Sequence, residues 1–100
     1  MKIQIRPRGT TLTKAQFARL EHDLDLELAR FGERIDRVIV DIKDADSSGL
    51  KSCEIEVRIK PQVVKTEHSD TNVFLAAGHA VKRAARSVSR VIEAEGFIRR

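Results

Sequence analysis

The amino-acid sequence predicts an α+β domain with the element order β-α-β-β-β-α, in which two helices cover one face of a four-stranded mixed sheet. Four short segments alternate apolar and polar residues, as half-buried strands do, and two longer segments repeat apolar residues at helical spacing. If the first two strands pair in parallel, the helix between them makes a right-handed crossover. Short links among the last three strands indicate an antiparallel meander.

The composition predicts one globular domain over residues 1–100. Hydrophobic residues make up 41% of the chain and charged residues 34%, and no linker is long enough to divide it. No apolar run approaches the roughly 18 residues that a membrane span requires, and the alternating start differs from the apolar block of a signal peptide. We therefore expect a cytoplasmic protein with no membrane partner.

The first strand is short and basic. Residues 2–6 place Ile3 and Ile5 on one face, and Pro7 and Gly9 are expected to end the strand. The first ten residues contain no acid and three bases, namely Lys2, Arg6 and Arg8.

The first helix is expected to begin at a capping box, residues 13–16, and to end at Gly32 as a left-handed cap. Residues 13–31 hold three bases and four acids, so this helix is a poor surface for a polyanion along its length. Leu26 points away from its apolar stripe. The stripe consists of Phe17, Leu20, Leu24, Leu28 and Phe31.

Three further strands follow. Residues 34–43 alternate, although Ile39 falls on the outward face, and residues 52–60 alternate most clearly. A third segment covers residues 63–67, and residues 68–72 offer several caps for the last helix. The expected inward residues are Val38, Val40, Ile42, Cys53, Ile55, Val57 and Ile59.

The last helix, residues 72–95, combines an apolar stripe with a basic face. The stripe centres on Ala77, the helix is expected to stop at Gly96, and Phe97 can fold back over its last turn. Glu93 is the main acid on the other side. That side gathers His79, Lys82, Arg83, Arg86 and Arg90. A solvated helix surface and a polyanion-binding surface both account for it.

The formal charge of +4 and the pI near 9.6 favour acidic partners, nucleic acid above all. The chain's four phenylalanines are better explained by packing than by stacking on bases. Bound RNA would therefore be contacted through its phosphates and its shape.

Motifs for chemistry are absent from the sequence. The acidic loop at residues 44–49 begins like a calcium loop, but Ile55 stands at the twelfth position, where a glutamate belongs, so a polar hairpin is expected. A single cysteine, Cys53, excludes an internal disulfide and is expected to be buried. The three histidines share no ligand spacing. We expect no metal, no cofactor, no small-molecule substrate and no enzymatic activity.

The whole pattern resembles the ribosome hibernation promoting factor family, also called ribosome-associated inhibitors. Residues 31–38, FGERIDRV, look like the join between first helix and second strand in short bacterial members. Residues 72–77, NVFLAA, are similar to the family's run of Asp, apolar, Tyr, any residue, Ala, Ile. Residues 83–88, RAARSV, stand where the family tends to have Lys-Leu-x-Arg-Gln-Leu.

The resemblance implies a domain that binds the small ribosomal subunit in the channel for messenger and transfer RNA, stops translation and protects the idle ribosome. Arg83 and Arg86 carry over from the family motif as rRNA contacts, and helix geometry adds Lys82 and Arg90. The alternative is a protein-interaction domain of similar fold, suggested by the outward Ile39 and Leu26. The sequence leaves the oligomeric state open.

Overall fold

The computed structural model describes residues 1–46 and 48–98 and confirms the predicted fold class. The sheet order is β1-β2-β3-β4, with β1 parallel to β2 and the other neighbours antiparallel. A 3-10 stretch, Ala29–Arg34, joins the first helix to the second strand. The elements are β1 (Lys2–Arg8), α1 (Lys14–Leu28), β2 (Arg37–Asp44), β3 (Lys51–Arg58), β4 (Val63–Asp70) and α2 (Val73–Ile98).

The core lies between the inner face of the sheet and the two helices. α2 packs on β3 and β4, whereas α1 packs on α2 and reaches β1. The alternation predicted for the central strands is confirmed, since their inward side chains are fully buried. These are Val38, Val40, Ile42, Cys53, Ile55 and Val57. Burial raises the pKa of the Cys53 thiol to about 12, so this residue is a packed side chain and not a nucleophile.

The start of α1 follows its sequence signals, but its end does not. Gln16 N donates to Thr13 Oγ1 at 3.1 Å and Thr13 N donates to Gln16 Oε1 at 2.8 Å, which confirms the capping box. The α-helix ends at Leu28 and not beside Gly32, because the chain tightens into the 3-10 stretch. Gly32 has a φ of 56° and turns the chain inside that stretch.

Other strand and helix ends also differ from the sequence prediction. β2 begins at Arg37 and not at residue 34, because the 3-10 stretch extends through Arg34. β1 continues through Pro7, because β1 is an edge strand and tolerates a residue without an N–H. β4 continues to Asp70, past the expected end at residue 67. α2 runs beyond Gly96 to Ile98, and the packing expected for Phe97 lies outside the described side chains. Asn72 Oδ1 caps α2 by accepting from Phe74 N at 2.8 Å.

The outward face of the sheet is polar but contains one apolar side chain. Ile39 lies on this face, as predicted, yet only 9% of it is exposed, so it does not form an open apolar patch. Leu26 on α1 is 67% exposed, which confirms that it points away from the stripe. Within the described residues, neither helix is long and apolar enough to cross a membrane.

An ion-pair cluster surrounds Asp41 on the outward face. Arg6 donates from Nε to Asp41 Oδ1 at 2.7 Å and from Nη2 to Oδ2 at 2.9 Å, and Arg8 Nε lies 3.3 Å from Oδ1. These contacts lower the pKa of the Asp41 carboxyl, and the hydrogen bonds from Arg6 are the largest cause. The ion pairs of Arg6 and Arg8 with Asp41 therefore link the edge strand β1 to β2 through side chains.

Two leucines of α1 provide a matched test of the core. Leu24 is 1% exposed and Leu26 is 67% exposed, although both lie on the same helix. Leu24→Ala should lower the free energy of unfolding by about 2–5 kcal/mol, because it removes packed methyl groups and leaves a cavity. Leu26→Ala should change it by less than about 0.5 kcal/mol. Urea denaturation of both variants measures the difference, and equal losses would contradict this description of α1.

Replacing Asp41 should change the acid side of the stability profile. The pKa of Asp41 lies below its ordinary value of 3.8, so the ionised carboxylate stabilises the fold above about pH 4. That contribution is lost as the pH falls through the folded-state pKa. The gap in unfolding free energy between wild type and Asp41→Asn, measured by urea denaturation, should therefore narrow below about pH 4. Asp25→Asn, which removes an exposed carboxylate of α1, is the matched control, and a pH-independent gap for Asp41→Asn would refute the role of the ion pair.

Candidate nucleic-acid interface

The side of α2 that packs on the sheet determines where its basic face points. Ala76, Ala80 and Ala84 are fully buried at successive turns, and small side chains let the helix backbone approach the sheet. Thr66 Oγ1 of β4 donates to the carbonyl oxygen of Ala80 at 2.8 Å. This bond holds the helix against β4, and Arg83, Arg86 and Arg90 lie beside that strand.

A polar groove of about 320 Å³ runs between this face of α2 and the edge of β4. Four of its lining residues are bases and none is an acid. Such a surface suits the oxygen atoms of phosphate, because guanidinium groups bind them with paired N–H donors. The lining residues are Lys65, Thr66, Arg83, Arg86, Ser87 and Arg90. We call this surface the basic groove.

Arg83 is anchored at the edge of β4. Its Nη1 donates to the backbone carbonyl oxygen of Glu67 at 3.2 Å. The turn bond from Ile59 N to Gln62 O sets the pairing of β3 with β4, and it places Glu67 at a position whose backbone groups face the free edge. The guanidinium of Arg83 therefore keeps a defined position and retains further N–H donors for a ligand.

Lys65 belongs to the same groove from the strand side. Its Nζ lies 3.6 Å from Glu56 Oε1, and Arg58 Nε donates to the other oxygen of Glu56 at 2.8 Å. The hydrogen bond from Arg58 is the largest cause of the lowered pKa of Glu56. The side chain of Lys65 is 64% exposed and also lines the groove.

The predicted site residues fall into two groups. Arg83, Arg86 and Arg90 line the groove together. Lys82 is exposed on α2 but lies outside the lining. Lys65 did not emerge from the sequence, because its place beside α2 depends on β4 being the edge strand that the last helix covers. Its signal in the sequence is only the alternation of residues 63–67.

The histidines show a contact that the sequence did not predict. His68 on β4 and His79 on α2 place their ring centroids 4.6 Å apart at a tilt of 38°. His79 precedes Arg83 by one helical turn, so the pair borders the basic groove. In the part of the chain that the structure describes, no group of three histidine, cysteine or carboxylate side chains is arranged to hold a metal ion.

The acidic loop connects β2 and β3 as the predicted hairpin. Ala45 N donates to Leu50 O at 2.9 Å, and Asp46 Oδ1 accepts from Ser48 N at 2.8 Å. Hydrogen bonds from the side chain and backbone of Ser48 lower the pKa of the Asp46 carboxyl. The Asp46 side chain is thus held in the loop by its hydrogen bond with Ser48.

No protein-family model matches the chain, and neither does any curated protein. Solved structures of similar architecture include the following two. A ribosomal subunit interface protein from Coxiella burnetii matches with a TM-score of 0.79 and 12% identity, over 93% of this chain and 99% of that one. The N-terminal domain of Protein Y from Thermus thermophilus matches with a TM-score of 0.76 and 24% identity, over 91% of this chain and 99% of that one.

The chain has the fold of these two proteins. The coverage is nearly complete on both sides, so the likeness includes the strand order and both helices. The fold that the resemblance to the hibernation factors implied is thereby confirmed.

Proposed function

We propose that the chain is a non-enzymatic, cytoplasmic ribosome-binding factor that contacts RNA of the small subunit through the basic groove. The carrying observation is the groove itself, which has four bases and no acid in its lining. The names of the two similar structures, a ribosomal subunit interface protein and Protein Y, support a ribosome as the partner. The proposed effect is occupation of the channel for messenger and transfer RNA, which inhibits translation and protects idle ribosomes.

The distribution of aromatic side chains favours phosphate contacts over base stacking. Phe31 and Phe74 are half-buried against the core, and Phe17 is half-buried on α1. The guanidinium of Arg19 also lies 3.8 Å from the centre of the Phe74 ring and covers it. The described side chains include no fully exposed phenylalanine, so affinity would come mainly from neutralised phosphates and released counterions.

The acidity of α1 determines how the domain would face the RNA. Glu21, Asp23 and Asp25 are exposed on this helix. Phosphate oxygens near these carboxylates would be repelled, so the RNA would approach α2 from the side of the β4 edge and leave α1 toward solvent or protein. The orientation is thus set by the charges of both helices and not by the groove alone.

Reversal of the groove charges tests the proposal. The triple variant Arg83→Glu, Arg86→Glu and Arg90→Glu should lose cosedimentation with small subunits, because three phosphate contacts become repulsions. The matched control reverses Lys14, Arg30 and Lys60, three exposed bases outside the groove, and should keep wild-type binding. Circular dichroism of both variants verifies that they fold.

The salt dependence of wild-type binding provides a second measurement. If four or more phosphates are neutralised, affinity should fall by about tenfold or more over a few-fold rise in salt. The slope of log affinity against log salt should become less steep in the triple variant. Unchanged cosedimentation of the folded triple variant would refute the assignment of the groove, and binding by neither protein at low salt would refute the ribosome as partner.

A protein-interaction domain is the second candidate function. Leu26 favours it, because this side chain is 67% exposed on α1. Ile39 no longer supports it, since only 9% of that residue is exposed. A protein partner that is retained after nuclease treatment and lost in Leu26→Asp would establish this function, whereas loss of all partners with the RNA would exclude it.

A further inference from the structure

The outward face of β1 and β2 carries a second concentration of positive charge. The register places eight outward residues side by side on these two strands, and five are bases while only Asp41 is an acid. Their excess of +4 equals the formal charge of the whole chain. We call the five bases the sheet patch. They are Lys2, Arg6, Arg8, Arg37 and Lys43.

Several bases of the sheet patch lie directly opposite each other on neighbouring strands, which destabilises the sheet. Lys2 pairs with Arg37 across β1 and β2, and Arg8 pairs with Lys43. Arg37 also pairs with Arg58 on β3, so three cations stand in one row. Like charges directly opposite each other destabilise a sheet. Ion pairs with Asp41 account for Arg6 and Arg8, but the like-charge pairs give no folding reason for Lys2, Arg37 and Lys43. An anionic ligand would relieve their repulsion.

Asp41 organises part of the patch without neutralising it. It holds Arg6 with two hydrogen bonds and Arg8 with one. Each guanidinium has five N–H donors, so both arginines keep donors beyond those given to Asp41. The two groups are thus held in orientation beside the exposed side chain of Lys43. This is an arrangement suited to several phosphate oxygens at once.

Three acids lie between the middle of the sheet patch and the basic groove. Glu54, Glu56 and Glu67 occupy outward positions on β3 and β4, between the bases of β2 and the free edge of β4. The strands β1 and β4 are three spacings apart, about 14 Å. A phosphate chain that crossed the outward face from patch to groove would meet these carboxylates. The two basic surfaces are therefore separated over the middle of the sheet, and the one base between them on β3 is Arg58, whose Nε donates to Glu56.

We propose that the sheet patch is a second phosphate-binding surface, so that the domain bridges two separate RNA segments. One segment lies in the basic groove beside α2, and the other lies over β1 and β2 on the opposite face of the sheet. Contact on this face is with the phosphate backbone, because its outward residues include no aromatic side chain. The proposal rests on the proposed function only in taking RNA as the ligand.

Bridging is measured with two populations of short RNA hairpins, one labelled with a donor dye and the other with an acceptor dye. Wild-type protein at low salt should raise energy transfer between them, with an optimum near one protein per two hairpins. Arg37→Glu with Lys43→Glu should abolish the energy transfer and still bind one hairpin through the groove. Arg83→Glu with Arg86→Glu should also bind one hairpin, through the patch.

Stability measurements separate the effect on binding from an effect on folding. Lys43→Glu places a carboxylate opposite Arg8, and Arg37→Glu places one between Lys2 and Arg58. Opposite charges in these positions are favourable, so the melting temperature of this variant should equal or exceed that of the wild type. The control variant reverses Lys14 and Arg30, two exposed bases outside both surfaces, and should bridge hairpins as the wild type does.

The outcomes distinguish this proposal from the ribosomal one. Wild-type bridging by a folded Arg37→Glu, Lys43→Glu variant, or one hairpin per wild-type protein at saturation, would overturn the sheet patch as a ligand site. Ribosome binding through the groove could persist in either case. Conversely, a wild-type protein that bridges hairpins but does not cosediment with small subunits would support the patch and refute the ribosome as its partner.

Discussion

The alanines of α2 set the position of everything that the helix presents to solvent. Ala76, Ala80 and Ala84 are buried without residual exposure, and the bond from Thr66 to the carbonyl of Ala80 joins helix and strand at the middle of their contact. Because these side chains are short, the helix axis lies close to β3 and β4. Larger residues would lift the helix away and widen the groove that Lys65 and the arginines line. The chemistry of the outer face thus depends on the small volume of the inner one.

Acidic and basic side chains occupy separate regions of the domain surface. The carboxylates of α1 lie on the helix side of the sheet, the sheet patch and the acids of β3 and β4 lie on its outward face, and the basic groove lies at the edge of β4. Net charge alone, at +4, describes a moderately basic protein and hides this separation. A bound phosphate interacts mainly with the charges that it contacts, because salt largely screens exposed charges more than about 10 Å away. Local clusters of bases, and not the overall charge, therefore decide what the domain can bind.

Much of the fold could be predicted from the sequence, because periodicity reports burial directly. The inward residues of β2 and β3 and the two faces of α2 follow from spacings of two and 3.6 residues. Element ends were less predictable. Pro7 stays in β1 only because that strand is at an edge, and the early end of α1 results from a 3-10 stretch with no strong signal. Likewise, Lys65 and the sheet patch depend on strand order and register, which join residues distant in sequence.

Both outer strands of the sheet carry devices that discourage pairing with another chain. On β1, Pro7 removes one backbone donor and the adjacent bases repel a second copy of the same strand. On β4, the guanidinium of Arg83 donates a hydrogen bond to the carbonyl oxygen of Glu67. An additional strand would need this oxygen as an acceptor. The side chain that helps to line the groove also closes the sheet. Edge protection and ligand contact therefore share one residue, and a substitution at Arg83 would free an edge acceptor as well as weaken the groove.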